Sequence, residues 1–175
     1  MIIETERLIL RPWRETDVDA LLEYARDPRI GPAAGWPPHT DRESTLDVIR
    51  TALAVDGNFA VTLRGEDKAI GSIGVFPITR LESALGEPEI GYWIAVPFWG
   101  QGLIPEAVKE LMRRNFVENG EKLLWCGHYE GNDKSRRVIE KCGFKYVLTQ
   151  EEDVPLLGEK RVCLYYKITR EDWEK

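Results

Sequence analysis

Hydrophobic and polar residues alternate in short runs along most of this chain, as they do in strands that bury one face. The pattern predicts seven strands, within residues 7–13, 58–63, 69–78, 89–96, 122–129, 144–149 and 161–169. Between the second and third of these runs lies Arg-Gly-Glu-Asp at 64–67, a sequence typical of a hairpin turn. Early hairpins followed by alternating strands and helices predict a mixed sheet with helices packed on it.

Four other stretches repeat their apolar residues at the spacing of a helix. The predicted helices begin near Val18, after a cap at Thr16 or Asp17, and near Thr40, Leu103 and Asp133. Glycine, proline and charged residues dominate 27–40, 79–88 and 150–160, which are predicted as irregular loops.

The length and composition describe one ordinary globular domain. A chain of 175 residues, 43% of them hydrophobic and 31% charged, is long enough to bury a sizeable core. We therefore expect a single domain over residues 1–175, with no internal repeat.

Charge and cysteine content narrow the class of partner. The formal net charge of −6 disfavours broad binding to nucleic acid or anionic membranes and favours a cationic substrate. Three cysteines without a CxxC pair indicate reduced thiols in a cytoplasmic protein rather than disulfides or a zinc site. The start lacks a signal-type hydrophobic block, and no apolar run approaches the ~20 residues of a membrane span. His39 and His128 have no spaced ligand partners, so no metal is expected.

The stretch IAVPFWGQGLIPEAVKEL at 94–111 carries the first chemical signal. Gly100 and Gly102 stand between a strand and a helix, where bare amides and the helix dipole attract phosphate. A P-loop is excluded because no Lys-Ser or Lys-Thr follows, and Pro105 stands where a dinucleotide motif needs its third glycine. A tight turn without any ligand remains the simpler interpretation of these glycines alone.

A second stretch, EGNDKSRRVIEKCGF at 130–144, predicts a helix with a hydroxyl on its apolar face. Ser135 shares that face with Val138, Ile139 and Cys142 by helical spacing. Asn132 can be an ordinary N-cap and Ser135 can bond back to the backbone, so a purely structural role stays open. The basic residues Lys134, Arg136 and Arg137 form a solvated face by default, and binding of a peripheral phosphate is the alternative.

Together, these motifs and TERLILRPWRETDVDAL near the start resemble the GCN5-related N-acetyltransferases (GNAT), closest to the branch that acetylates ribosomal-protein N-termini. The resemblance covers nearly the whole chain. It implies an α+β, three-layer fold with a mixed, mostly antiparallel sheet of about seven strands and helices on both faces. It further implies a splayed gap between the strand at 89–97 and the strand at 122–129.

The same resemblance implies a binding site for acetyl-coenzyme A. The pyrophosphate would lie on the turn of Gly100, Gln101, Gly102 and Leu103, and the pantetheine arm along the strand around Ile94, Ala95 and Val96. Asn132 would contact the cofactor, and Ser135 would bind it and serve the leaving thiolate. The sequence departs from the family pattern at two positions. Pro97 replaces the Gln or Arg that begins the family's Q/RxxGxG/A motif, and Ile139 stands where many relatives have a Tyr that acts as general acid.

Acetyl transfer needs a neutral amine, and an α-amine is about a tenth to a third neutral at pH 7 to 7.5, against about a thousandth for lysine. Glu89, at the start of the central strand, is the candidate general base, and an exposed structural carboxylate is its alternative. Backbone N–H groups near Ile94 to Val96 are candidates for polarising the thioester oxygen.

The acceptor stays open at this stage. The leading hypothesis is an acetyl-CoA-dependent N-acetyltransferase for a primary amine such as a protein N-terminal α-amine. The alternatives are a small amine (an antibiotic, polyamine or amino-acid derivative) and a catalytically silent coenzyme A sensor. The resemblance also leaves a homodimer open, since relatives often pair.

Overall fold

Eight strands form one mixed, mostly antiparallel sheet in a computed structural model that describes residues 1–175. The strands are β1 (Ile3–Glu4), β2 (Leu8–Arg11), β3 (Asn58–Leu63), β4 (Gly71–Pro77), β5 (Pro88–Ile94), β6 (Leu123–Tyr129), β7 (Lys145–Val154) and β8 (Glu159–Thr169). Their order across the sheet is β1-β2-β3-β4-β5-β6-β8-β7. The predicted α+β class is thereby confirmed, with one more strand than expected because the short β1 was not predicted.

Six α-helices accompany the sheet. They are α1 (Val18–Ala25), α2 (Gly31–Ala34), α3 (Arg42–Val48), α4 (Leu103–Arg113), α5 (Asp133–Lys141) and α6 (Arg170–Trp173). None of them is long and apolar enough to cross a membrane.

The chain divides into two compact units. The first unit contains Met1–Gly74 and Tyr92–Ala107, and the second contains Val75–Gly91 and Val108–Lys175. The single domain expected over residues 1–175 stays a prediction.

In the first unit, β2 pairs antiparallel with both β1 and β3, with Leu10 opposite Val61. The alternation expected at 7–13 is present, because Leu8 and Leu10 are both fully buried. One face of α1 packs in a cluster of buried residues that comprises Trp13, Val18, Leu21, Ala25, Ile49, Ala60 and Ala69. Burial of each large side chain there contributes roughly 1.5–3 kcal/mol.

In the second unit, β6 and β7 both pair antiparallel with β8, and the β7–β8 hairpin is long. The register of β5 with β6 is parallel and places Glu89 opposite Trp125. This is the strand pair between which the splayed gap is expected, and the gap itself stays a prediction.

The helices after the two motifs follow their predicted periodicity. On α4 the apolar residues that recur at helical spacing are each at most 5% exposed: Ile104, Ala107, Val108, Leu111 and Met112. On α5, Ile139 is buried, as is Cys142 at the C-cap, whereas Ser135 and Val138 are half-buried on the same face.

Two predicted loops contain regular structure instead. Residues 27–40 include α2, because Pro32 suits the first turn and Gly35 ends the helix at φ +98°. Residues 150–160 were predicted as a loop, but β7 continues to Val154 and β8 begins at Glu159. The polar residues Gln150 and Glu152 occupy inward positions there, which hid the strand pattern.

The cap of α1 also differs from expectation. Asp17 occupies the N-cap position but makes no side-chain cap hydrogen bond. Its carboxylate instead accepts from both terminal nitrogens of buried Arg11 (2.8 and 2.9 Å) and from the Arg14 amide (2.8 Å). A buried guanidinium needs such a partner, and this demand outweighs the helix cap.

Candidate functional site

The turn between β5 and α4 adopts the backbone conformation that its glycines predict. After Ile94, one 3₁₀ turn covers Val96–Phe98, and the chain then passes through Gly100 at φ +71° and Gly102 at φ +74°. An L-residue is strained in this left-handed region, so glycine is favoured at both positions. α4 begins directly afterwards at Leu103.

The main-chain N–H groups of this turn are arranged as a candidate anion site. The N–H groups of Gly100, Gln101 and Gly102 meet no backbone carbonyl acceptor. They lie at the N-terminus of an eleven-residue helix, whose dipole places partial positive charge there. A β-carbon built on Gly100 would meet no atom within 4 Å, so the surface beside it is open. A phosphate group fits this donor set.

The strand residues before the turn are partly engaged by the protein itself. The Ala95 N–H donates to the Ile70 carbonyl (2.8 Å), which removes this donor from the set predicted to meet a thioester or pantetheine arm. The Ile94 carbonyl accepts from Trp99 Nε1 (2.9 Å), and the Val96 carbonyl accepts from the Trp99 amide (3.1 Å). Each carbonyl keeps a second lone pair.

A cluster near the N-terminus supports the glycine turn, and sequence analysis did not find it. Glu106 accepts from Thr5 Oγ1 (2.6 Å) and from the Arg7 amide and Nε (2.8 and 2.7 Å). Arg7 Nη1 then donates to the Gln101 carbonyl (2.8 Å). Burial opposes ionisation of Glu106, yet the hydrogen bonds from Thr5 and Arg7 keep its pKa below the usual value.

Glu89, in the second unit, is a largely buried carboxylate rather than the exposed one offered as its alternative. Its side chain is 15% exposed, and Arg80 Nη2 donates to both of its oxygens (2.9 and 3.2 Å). A β-carbon on Gly127 of β6 would approach Glu89 Oε1 to 3.4 Å, so glycine keeps this contact free of crowding.

Arg80 also faces a second buried carboxylate. Its Nη1 lies 3.5 Å from Glu152 Oε1, an oxygen that has no hydrogen-bond partner. The other oxygen of Glu152 accepts from Tyr165 Oη (2.6 Å) and from Gln150 Nε2 (3.2 Å). Because Gln150 Nε2 also donates to the Arg80 carbonyl (2.9 Å), one amide supports both charged residues.

The charges set the basicity of Glu89. Burial raises its pKa, the Arg80 guanidinium offsets part of that increase, and the negative charge of Glu152 adds to it. A carboxylate with a raised pKa is a stronger base than an ordinary glutamate.

At the start of α5, Asn132 is the N-cap, which is the structural role that the sequence left open for it. Its Oδ1 accepts from the Ser135 amide (3.2 Å). This bond fixes the first turn, on which the half-buried Ser135 hydroxyl lies. Ile139 is 1% exposed and has no ionisable group.

The structure thus brings Ile94 through Leu103 together in the first unit, and it pairs Asn132 with Ser135 in the second. Glu89 joins Arg80, Glu152 and Tyr165, three residues that sequence analysis missed. Burial alternates along the second half of β7, where Glu152 lies. The sequence does not show this alternation, because polar residues occupy the inward positions. No group of three potential ligands for a metal ion is present.

Comparison with known proteins gives one consistent family. Residues 7–145 match the model described as "Acetyltransferase (GNAT) domain". The chain is 34% identical to the FsC-acetyl coenzyme A-N(2)-transacetylase of Aspergillus fumigatus, over 98% of this chain and 77% of that one. It is 27% identical to YdaF of Bacillus subtilis, named provisionally as a ribosomal N-acetyltransferase, over 97% and 94% of the two chains. The solved structure of a GNAT-family acetyltransferase from Bacillus anthracis is similar at 25% identity with a TM-score of 0.84, over 98% and 99%.

Proposed function

Because the chain belongs to the GNAT acetyltransferase family, whose members use acetyl-CoA as co-substrate, we propose that it transfers acetyl from acetyl-CoA to a protein N-terminal α-amine. The family establishes an N-acetyltransferase, and the choice of acceptor and the roles of individual residues are the proposal.

One observation carries the cofactor assignment: the unengaged N–H groups of Gly100, Gln101 and Gly102 at the start of α4. In this proposal they and the Leu103 amide hold the diphosphate of coenzyme A. Main-chain donors do this without a cationic side chain, so Pro97 at the family's first motif position is compatible with binding.

When bound, acetyl-CoA would supply a thioester, whose carbonyl carbon would form a C–N bond to the amine while its C–S bond breaks. Coenzyme A would then leave as the thiolate, and the second proton lost by the nitrogen would pass to solvent. Glu89 prepares the amine: an ammonium N–H bond breaks, an O–H bond forms on the carboxylate, and a neutral nucleophile results. An α-amine with a pKa near 8 needs only modest help from such a base, whereas lysine at about 10.4 needs far more.

Ser135 is the proposed donor to the leaving sulfur. Its hydroxyl lies on the first turn of α5, oriented by the Asn132 cap, and it can donate a hydrogen bond to a developing thiolate. A thiol with a reference pKa of about 8.5 leaves readily when stabilised in this way, so a full proton transfer is not needed.

A small-molecule amine is the second candidate acceptor. It is favoured by the 34% identity to a relative named as an N(2)-transacetylase. The two candidates differ only in the acceptor and share every proposed cofactor contact.

The test combines cofactor binding with an acceptor panel. Coenzyme A at a hundred times its dissociation constant should stabilise the protein by ~2.7 kcal/mol, which thermal denaturation measures. Thiol release from acetyl-CoA is then compared across N-terminal peptides, polyamines and aminoglycosides. Ser135→Ala is the variant, and Ser44→Ala, at an exposed position of α3, is its control.

We expect turnover with N-terminal peptides and a loss of about tenfold in kcat for Ser135→Ala. Turnover with small amines alone would select the second candidate. Cofactor binding without turnover on any amine would indicate a sensor. No stabilisation by coenzyme A would reject all three.

A further inference from the structure

Two buried carboxylates in the second unit share one guanidinium. Arg80 directs Nη2 to Glu89 and Nη1 to Glu152, which are 15% and 6% exposed. Two carboxylates with little exposure to water repel each other, and a cation between them offsets that repulsion. These three residues therefore form one electrostatic unit.

The other titratable groups that face this unit are neutral near pH 7. They lie on β6 and β8 and comprise Cys126, Tyr129, Cys163 and Tyr165. Burial raises the pKa of each of them, to about 12 for the Cys163 thiol. Arg80 and Glu152 are therefore the charges that Glu89 experiences.

Glu152 is fixed more firmly than Glu89. Tyr165, which is fully buried, donates to its Oε2 at 2.6 Å, and Gln150 links it to the Arg80 backbone. Glu89 has Arg80 as its hydrogen-bond donor and more exposure. The fixed end of the network thus holds Arg80, and Arg80 in turn holds Glu89.

We propose that Arg80 and Glu152 are positioning residues for Glu89. Arg80 orients the Glu89 carboxylate and weakens it as a base. Glu152 makes Glu89 a stronger base again, because it pairs with the same guanidinium. This inference deepens the proposed function and rests on the role of Glu89 as the general base.

The proposal requires opposite effects from two neighbouring substitutions. Arg80→Gln removes the cation and leaves Glu152, so the pKa of Glu89 should rise by about one pH unit. Glu152→Gln removes the anion and leaves Arg80 wholly to Glu89, so that pKa should fall by a similar amount. A merely structural role would not move the pKa in opposite directions.

The experiment titrates Glu89 directly and follows the reaction separately. Carbon-13 NMR of labelled glutamate carboxyls gives the midpoint of Glu89, whose signal is assigned by its absence in Glu89→Gln. The acid limb of kcat/KM, with the best acceptor from the panel, should move with that midpoint: upward for Arg80→Gln and downward for Glu152→Gln. Arg170→Gln and Glu174→Gln, which break an exposed ion pair between α6 and its C-cap, are controls and should leave both readouts unchanged.

A second variant guards against loss of folding. Arg80→Lys keeps the charge but loses the two-pronged geometry, so its Glu89 midpoint should lie above that of the native protein and below that of Arg80→Gln. If Arg80→Gln does not fold, the upward shift in Arg80→Lys against the downward shift in Glu152→Gln is the test.

The outcomes separate the two claims. Opposite shifts by NMR that kcat/KM does not follow would uphold the network and reject Glu89 as the base. Shifts in one direction, or none in active variants, would overturn the inference while leaving the proposed function intact.

Discussion

The glycine turn before α4 presents main-chain N–H groups, whereas the network around Glu89 presents charged side chains. The turn is uncharged at Gly100 and Gly102 and depends on their positive φ angles. The network pairs two largely buried carboxylates with Arg80, whose side chain is 43% exposed, and it draws Arg80, Glu89, Glu152 and Tyr165 from separate segments of the second unit. A main-chain site depends on one local backbone conformation, while a side-chain network depends on how several elements pack.

Substitutions in the two regions should therefore have different effects on the protein. Substitutions near the turn change binding in proportion to how far they alter its backbone. Substitutions in the network change protonation and rate, because a buried charge that loses its partner is costly.

The largest expected effect is that of Glu89→Gln. Loss of a general base costs about 10²–10⁴-fold, so kcat should fall at least ~100-fold while stabilisation by coenzyme A persists. Steady-state kinetics and thermal shift measure the two quantities. Glu151→Gln, an exposed carboxylate on β7, is the control and should retain activity. Equal losses in both variants would refute a specific role for Glu89.

An intermediate effect is expected for Gly102→Ala, compared with Gly120→Ala. The two glycines have nearly the same φ, +74° and +73°, so an added β-carbon should cost similar stability, about 1–2 kcal/mol. Only Gly102→Ala should also weaken coenzyme A binding, by about tenfold, because its amide belongs to the proposed anion site. Calorimetric titration measures the affinity. Equal affinities for the two variants would place the diphosphate elsewhere.

The smallest effect is expected for Arg7→Ala. This residue is 46% exposed, so its ion pair with Glu106 should contribute at most ~1 kcal/mol to the free energy of unfolding. Losing the bond to the Gln101 carbonyl should weaken coenzyme A binding about twofold. Arg50→Ala is the control, because Arg50 is 50% exposed and its ion pair with Glu15 involves no residue of the cluster that supports the turn. A loss of affinity in Arg50→Ala as large as that in Arg7→Ala would contradict a link to the turn.

Elements with strong local signals were predicted closely. The periodicity of α4 and α5 identified their buried faces, and the alternation at 7–13 identified β2. β1 has only two residues, too few to show a period. α2 has only four residues, begins with Gly31 and ends before Gly35. In both cases pairing or packing with other parts of the chain stabilises a segment that has little intrinsic preference.

The sequence by itself determined the glycine turn, because positive φ angles and bare amides are properties of the residues that form it. It also offered Asn132 as one candidate N-cap for the helix on which Ser135 lies, since a cap acts over three residues. Only the tertiary structure decided that Arg80 lies between Glu89 and Glu152. The strength of that interaction depends on burial and on distances of a few ångströms between residues far apart in the chain, which no local pattern records.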